Sequence, residues 1–191
     1  MRYILASKSP RRKNLMKEIS PDFLIAVEDI DEESSYGLSP VEAVKDIAKR
    51  KGEAVYKDHP NDLVISADTI VVLDDKIIGK PIDEDDAYKI LKELSDRTHY
   101  VYTGFAIHYN DKILVDAVES KVTFNKLSDK LIKEYIKTGS PLDKAGAYGV
   151  QDNDYYPIIK NSVGSIDNVV GFPVKEIKEA IDKLLWFTIS N

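Results

Sequence analysis

The chain has 191 residues, of which 43% are hydrophobic and 31% are charged, and its formal net charge is −6. This length and apolar content suffice to bury the core of one domain, while the acidic balance argues against binding to nucleic acid polymers or acidic membranes, which requires basic surfaces. The absence of cysteine excludes disulfides, thiolate metal sites and a cysteine nucleophile. The N-terminal MRYILASKSP is too short for a signal peptide, and no run approaches the roughly 20 apolar residues of a membrane span. We therefore expect a cytoplasmic protein that does not associate with membranes.

Strand-like and helix-like patterns alternate along the chain, and this predicts an α/β fold with a mixed sheet and helices on its faces. The predicted strands are rich in apolar and β-branched residues and cover residues 3–6, 23–27, 63–67, 70–73, 100–109 and 113–124. Asp74 and Asp75 are expected to form a turn, and Asn110-Asp111-Lys112 is expected to join the last two strands as a hairpin.

The predicted helices carry apolar residues at helical spacing and cover residues 10–19, a segment from Pro40, residues 87–94, residues 131–136 and a segment from Pro173. Ser39 and Glu42 have the spacing of a capping box for the second helix, in which Pro40 is the first residue. Gly139 is expected to end the fourth helix.

The segment LASKSPRR places two arginines at the start of the first helix. With Ser9 as N-cap, Arg11 and Arg12 lie at the positive end of the helix dipole, which disfavours cations by about 0.3–1 kcal/mol. The placement becomes favourable if an anion binds there, held by backbone N–H groups, by the hydroxyl of Ser7 or Ser9, and by the guanidinium groups. The alternative is a surface pair whose side chains reach nearby acids.

Lys51 is a cation on the apolar side of the second helix. It lies four residues after Ile47 and four before Val55, and both of these belong to the stripe that is expected to face the core. A lysine in this position either extends along the apolar surface to solvent or reaches into a binding site.

The segment SADTIVVLDDKIIGKP, residues 66–81, combines apolar strands with polar residues. Asp68, bracketed by apolar residues, is either held by hydrogen bonds for structural reasons or kept for metal binding or proton transfer. Lys80, fixed between a glycine and a proline, could contact a phosphate. The acidic stretch DIDEES, residues 29–34, could supply a further metal ligand, or it could be a solvated loop.

The segment GSPLDKAGAYGVQ contains three glycines, a proline and a final amide, Gln151. This composition is typical of a binding loop with close backbone approach, the alternative being an ordinary long connection. It is not a P-loop, and neither GxGxxG nor GxSxG occurs in the chain. The three histidines, His59, His99 and His108, fit no metal-ligand spacing and are expected to lie on the surface or to be satisfied by neighbours.

Four segments, ILASKSPRRKNLM, ADTIVVLDDKIIGKP, LDKAGAYGVQ and NVVGFPV, occur in an order that resembles the Maf family of nucleoside triphosphate pyrophosphatases, from residue 4 to about 185. The resemblance implies a single domain over residues 1–191, as one body or as two lobes around a cleft. It implies a twisted mixed sheet with a deep nucleotide cleft, similar to the inosine triphosphate pyrophosphatases. It also implies hydrolysis of a nucleoside triphosphate to the monophosphate and pyrophosphate with a divalent cation, Mg²⁺, Mn²⁺ or Co²⁺, and it suggests a homodimer.

The same resemblance gives roles to individual residues. Those expected to bind the phosphates are Ser7, Arg11, Arg12, Lys51 and Lys80. Asp68 is the expected general base and, together with Glu32 of the acidic loop, a metal ligand. Three residues match the branch that acts on dTTP and UTP rather than its sister branch acting on 7-methyl-GTP, and these are Arg12, Thr69 and Gln151. They imply a pyrimidine substrate, modified pyrimidine nucleotides included. Gly79 departs from the many relatives that have an acid before the lysine.

A regulatory protein is the alternative from another functional class. Such a protein would sense nucleotides, or contact the division machinery at the septum, without catalysis. Pyrophosphate release from a panel of nucleotides, measured with each divalent cation, separates an enzyme from a sensor.

Overall fold

Strands and helices alternate in the computed structural model, which describes residues 1–32, 35 and 37–189. Within these residues the strands are β1 (Tyr3–Leu5), β2 (Phe23–Ile25), β3 (Leu63–Leu73), β4 (Lys76–Ile78), β5 (Thr98–Tyr109), β6 (Lys112–Phe124) and β7 (Ile159–Val163). The helices are α1 (Pro10–Met16), α2 (Pro40–Tyr56), α3 (Glu84–Leu94), α4 (Asp129–Ile136), α5 (Ile166–Val170) and α6 (Val174–Ile189). None of the described helices is long and apolar enough to cross a membrane.

The sheet is mixed, as the alternating pattern predicts. Its described strands follow the order β2-β1-β3-β5-β6-β7, with β4 paired to β3 outside this path. β1 runs parallel to both of its neighbours, with Ile4 opposite Leu24 and Val64. β4 is antiparallel to β3, and β7 is antiparallel to β6.

Several element boundaries differ from the sequence prediction, and three of these differences have a clear local reason. β3 is one strand of 11 residues rather than two, because Asp68 and Thr69 keep their backbone within the sheet although their side chains are polar. α1 ends at Met16 instead of residue 19, and Ile19 N–H instead bonds the Met16 carbonyl in a tighter turn. β2 ends at residue 25, since its partner β1 ends at the paired Leu5.

The predicted turns and caps are confirmed. Asp74 and Asp75 have φ values of 49° and 62°, and Asn110 and Asp111 have 50° and 58°. Two consecutive left-handed residues form the turn whose twist suits a two-residue hairpin, and Asn and Asp tolerate this conformation. The Ser39 hydroxyl accepts the backbone N–H of Glu42, the third residue of α2, which forms the expected N-cap.

The described chain forms two compact units. Unit 1 comprises residues 1–68, residues 103–118 and the chain from Val170 onward; unit 2 comprises residues 69–102 and 119–169. That the chain functions as a single domain stays a prediction.

Both faces of the sheet are covered by helices in unit 1. Ile4 and Val64 pack with Val55 of α2, whereas Leu5 and Ile65 pack in a second cluster with α1 and α6. Strands buried on both faces are apolar at successive positions, which explains the unbroken hydrophobic runs in β1 and β3.

The helix α2 lies unusually close to its neighbours in unit 1. A Cβ added to Gly104 of β5 would lie 2.3 Å from the Val44 carbonyl oxygen of α2, and one added to Gly52 would lie 2.3 Å from His108 Nε2. Close packing therefore requires glycine at both positions. The two glycines set how closely α2, which carries Lys51, packs against the sheet.

In unit 2 the helices α3 and α4 cover the sheet with their apolar faces. The buried side chains of this core include Leu91, Leu94, Phe124, Ile132 and Tyr135. Between α4 and β7 the chain forms three short 3₁₀ turns, Ser140–Asp143, Ala145–Ala147 and Val150–Asp152. Gly139 precedes them in a left-handed conformation, with φ 73°, and the α4 helix ends before it as predicted.

Candidate active site

Six of the predicted site residues lie in unit 1. Ser7 follows β1, Arg11 and Arg12 lie in α1, Glu32 belongs to the acidic loop, Lys51 lies on α2 and Asp68 lies in β3. They belong to segments that are distant in sequence, and the sheet and its covering helices bring these segments together.

Lys51 is the centre of this cluster. Its Nζ donates to Asp68 Oδ1 at 2.8 Å and lies 2.7 Å from Glu32 Oε1. The Lys51 side chain is only 20% exposed and that of Asp68 14% exposed. Of the two roles considered for Lys51, the structure therefore supports the one in which its ammonium reaches polar groups rather than open solvent.

Arg50, next to Lys51 on α2, holds the acidic loop in place. Its guanidinium donates to the Asp31 carbonyl, to Asp46 Oδ2 at 2.8 Å and to the hydroxyl of the buried Ser35, which itself donates to Asp46 at 2.7 Å. The hydrogen bond from Ser35, together with Arg50, holds the pKa of Asp46 below its usual value. The tethers at residues 31 and 35 lie on either side of Glu32. The i, i+4 spacing of Asp46 and Arg50 indicates their ion pair in the sequence. No sequence pattern indicates the contacts of Arg50 with Asp31 and Ser35.

Arg12 is half-buried and bonded to the protein rather than extended into solvent. Its Nε donates to the Gly171 carbonyl at 2.8 Å, and a second guanidinium nitrogen lies 3.4 Å from the Ser7 hydroxyl. The Ser9 hydroxyl accepts the Arg12 backbone N–H, as expected of the N-cap. Because α1 has only seven residues, its dipole is small, and side chains carry most of the positive potential. Gly171 lies in the segment NVVGFPV, and no residue spacing in the sequence indicates that its carbonyl accepts a hydrogen bond from Arg12.

The charges around Arg12 include both signs. Burial lowers the pKa of the Arg12 guanidinium, the carboxylates of Asp68 and Glu32 oppose this effect, and the neighbouring Arg11 adds to it. The two arginines and Lys51 make three cations, and they lie near two carboxylates, those of Asp68 and Glu32. The cluster therefore keeps a positive excess after its internal pairs are counted.

The remaining predicted site residues belong to unit 2. Thr69 is half-buried in β3, whereas Lys80 and Gln151 are exposed. The Gly146 N–H donates to the Gly79 carbonyl at 3.0 Å, and this joins the loop that carries Gln151 to the segment that carries Lys80.

Glu32 and Asp68 are the carboxylates available to a metal in the unit 1 cluster. Among the described residues, no group of three or more His, Asp or Glu side chains is arranged to hold a metal ion. Glu33, the neighbouring acid of the loop, lies outside the described residues. Two carboxylates fit Mg²⁺, which keeps several water ligands and takes the remaining oxygens from substrate phosphates.

The described residues place none of the histidines in a group that could hold a metal ion. His99 and His108 are fully buried, so of the two expected alternatives, a surface position or satisfaction by neighbours, the surface position does not apply to them. His99 Nε2 lies 2.8 Å from the Tyr148 hydroxyl, and its Nδ1 has no hydrogen-bond partner among the described residues.

A family model described as Maf-like protein matches residues 2–184. The chain belongs to the Maf family. A relative from Dictyoglomus thermophilum, named dTTP/UTP pyrophosphatase, is 42% identical over 184 residues, or 95% of each chain. A relative of the same name from Symbiobacterium thermophilum is 43% identical over 171 residues, covering 90% of this chain and 88% of its own. These matches confirm the family resemblance found in the four sequence segments.

The predicted fold class is also confirmed by a solved structure. A HAM1 protein from Coxiella burnetii is 14% identical and has a TM-score of 0.51, with 96% of this chain and 99% of that chain covered. At this level of identity the likeness shows a shared fold and nothing about the reaction.

Proposed function

We propose that this Maf-family protein hydrolyses dTTP and UTP to the monophosphate and pyrophosphate, and that modified pyrimidine nucleotides are further substrates. Its cellular task would be to remove such nucleotides from the pool. The observation that carries the proposal is Lys51 between Asp68 and Glu32, with Arg12 beside them. The names of the relatives that are about 42% identical support the same activity.

The charge of the cluster suits a triphosphate, which carries about four negative charges that must be neutralised and aligned for hydrolysis. In the proposal Ser7, Arg11, Arg12, Lys51 and Lys80 bind the phosphates. The positive excess of the unit 1 cluster is too small to balance them alone, so a divalent cation is required. Glu32 and Asp68 would hold it, and Mg²⁺, Mn²⁺ or Co²⁺ would neutralise phosphate oxygens there.

Asp68 acts as the general base. It accepts a proton from the attacking water while the water oxygen bonds to phosphorus, and the phosphoanhydride bond breaks to release pyrophosphate. The hydrogen bond from Lys51 orients one carboxylate oxygen, Oδ1, and leaves the other able to accept the proton.

Thr69 and Gln151 read the nucleobase. A hydroxyl and an amide each offer a donor and an acceptor, which can match the carbonyl and N–H groups of a pyrimidine. Arg12 contributes to the choice of substrate as well as to phosphate binding. A homodimer, which the resemblance suggests, and a cytoplasmic location both stay predictions.

The test is pyrophosphate release from dTTP, UTP, dCTP, dATP and dGTP with Mg²⁺, Mn²⁺ or Co²⁺, for the wild type and for Asp68→Asn. We expect release from dTTP and UTP by the wild type and a loss of at least about a hundredfold in the variant. Asp116→Asn, the same change at an exposed carboxylate of β6, is the matched control and should retain activity. Near-normal turnover by Asp68→Asn contradicts its role as base. Nucleotide binding by the wild type without turnover under any cation favours the regulatory alternative.

Phosphate binding is tested by reversing charge at Arg12. Arg12→Glu should weaken dTTP binding by more than tenfold in calorimetry, since it replaces a guanidinium of the cluster by a carboxylate. Lys8→Glu changes the net charge equally at an exposed position of the same segment, and it should have little effect. Equal affinity in the two variants would contradict a phosphate-binding role for Arg12.

A further inference from the structure

The loop that carries Gln151 is tied to α4 on both sides of that residue. The hydroxyl of Tyr135 accepts the backbone N–H of Gly149 at 3.0 Å and donates to Asp152 Oδ2 at 2.7 Å. Tyr135 is fully buried, so water does not compete for these bonds. One hydroxyl group on a rigid helix thus fixes the positions two residues before and one residue after Gln151.

Asp152 is held by further hydrogen bonds. The Ser140 hydroxyl donates to the same Oδ2 at 2.6 Å, and the Asp152 backbone N–H donates to the Gly149 carbonyl at 3.0 Å. Burial and the bond to Asp152 raise the pKa of Tyr135, so its hydroxyl remains protonated and able to donate at physiological pH. The short 3₁₀ turn over Gln151 is therefore closed by a side chain as well as by its own backbone.

The position of the Gln151 amide group depends on the position of the Gly149 backbone. A Cβ added to Gly149 would be 2.5 Å from Gln151 Nε2 and 2.9 Å from Asp152 Oδ2. The amide group therefore occupies the space that a side chain at residue 149 would fill. Any shift of the Gly149 backbone changes the surface on which the amide rests.

We propose that Tyr135 is a positioning residue for nucleobase selection: by holding Gly149 and Asp152, it fixes the amide of Gln151 in the orientation that reads a pyrimidine. This inference rests on the proposed function, in which Gln151 contacts the base. A freed loop would let the amide take several orientations, and ordering them again on binding would reduce the affinity for the matching base. Purine nucleotides, which make no matched contact with the amide, would lose little.

The test is Tyr135→Phe, which removes the hydroxyl alone. The matched control is Tyr148→Phe, because Tyr148 is also buried, lies in the loop that carries Gln151, and has its hydroxyl 2.8 Å from His99 Nε2 rather than bonded to the groups beside Gln151. We expect Tyr135→Phe to raise KM for dTTP with little change in kcat, and to reduce the dTTP-to-dGTP ratio of kcat/KM about five- to tenfold. Hydrogen exchange at the Gly149 amide should become faster in this variant. Tyr148→Phe should keep the wild-type selectivity and the slow exchange at Gly149.

A double-mutant cycle separates positioning from a general loss of structure. Gln151→Ala should lower selectivity by itself, and adding Tyr135→Phe should then lower it no further, because the residue being positioned is gone. Independent, additive losses would overturn the inference. So would wild-type selectivity in Tyr135→Phe, unchanged exchange at Gly149, or an equal loss in Tyr148→Phe.

A second variant keeps the test decisive if Tyr135→Phe does not fold. Gly149 has an ordinary backbone conformation, with φ −123°, and the Cβ of Gly149→Ala would meet the ends of the Gln151, Lys144 and Asp152 side chains. This variant should lower the same selectivity ratio, and retained selectivity would overturn the inference. Wild-type turnover of dTTP is measured first: if it is absent, the proposed function fails. The variants are then compared by the calorimetric affinities for dTTP and dGTP, so the positioning role is still judged.

Discussion

Protonation of His99 should make the stability of this protein depend on pH. His99 is fully buried in unit 2, with Nε2 2.8 Å from the Tyr148 hydroxyl and its ring edge-on to Phe124 at 4.9 Å between centroids. Burial lowers the pKa of His99 to about 4. The experiment compares the stability at pH 7.5 and at pH 5, for the wild type and for His99→Gln. The glutamine keeps a polar group at this position but cannot titrate.

The direction of the effect follows from proton linkage. The pKa of an unfolded histidine is about 6.5, so the unfolded chain takes up a proton at higher pH than the folded protein does. The contribution of the neutral His99 to stability is therefore complete above about pH 6.5 and is lost as the pH falls toward 4. Between pH 7.5 and pH 5 the two pKa values give a loss of about 2 kcal/mol in the free energy of unfolding.

The assay is urea denaturation followed by circular dichroism at several pH values over this range. The wild type should lose about 2 kcal/mol more than His99→Gln between pH 7.5 and pH 5, whatever the absolute stability of the variant. Burial also lowers the pKa of His108, so some pH dependence should remain in His99→Gln. His59→Gln makes the same change at a partly exposed histidine and is measured beside it as the matched control. Parallel losses of stability in His99→Gln and the wild type would contradict the titration of His99 as the cause of the pH dependence.

Two further substitutions test the packing and the ion pairing of unit 1. Gly104→Ala should destabilise the protein by more than about 3 kcal/mol and reduce activity, because its Cβ would lie 2.3 Å from a backbone carbonyl of α2. In the control Gly79→Ala the added Cβ meets open space, so the melting temperature should not change. Equal melting temperatures of the two variants would contradict the close approach of α2 to Gly104. Asp62 accepts three hydrogen bonds from Arg2, which hold the pKa of Asp62 below its usual value. Its contribution to stability is therefore complete above about pH 4, the pKa of the unfolded residue, and is lost as the pH falls through the folded value. Asp62→Asn should lower the denaturation midpoint at pH 7 and approach the wild type in acid, and a constant difference at all pH values would contradict the assignment.

The sequence predicts the secondary structure where local chemistry decides it. The cap at Ser39, the left-handed turns at Asp74-Asp75 and Asn110-Asp111, and the end of α4 before Gly139 each depend on a few neighbouring residues. The break expected at Asp68 was wrong because pairing within the sheet outweighs the low strand preference of one aspartate.

The site could be predicted only in part, because its contacts join distant segments. Residue spacing alone left two roles open for Lys51. The family resemblance indicated which residues belong to the site. No local pattern indicates that Ser35 bonds Arg50, or that Tyr135 holds the loop of Gln151. In the sequence Tyr135 is simply one apolar position of a helix, and only the packed structure shows what its hydroxyl contacts.

Lys51 explains how two acids from separate segments can lie together in this cluster. Bringing carboxylates close together in a partly buried place raises the free energy through mutual repulsion and lost hydration, unless a cation is shared between them. The ammonium of Lys51, within 2.8 Å of both Asp68 and Glu32, supplies that charge. Its position on the apolar side of α2, which is unfavourable for an isolated cation, is thus the position that keeps both carboxylates together.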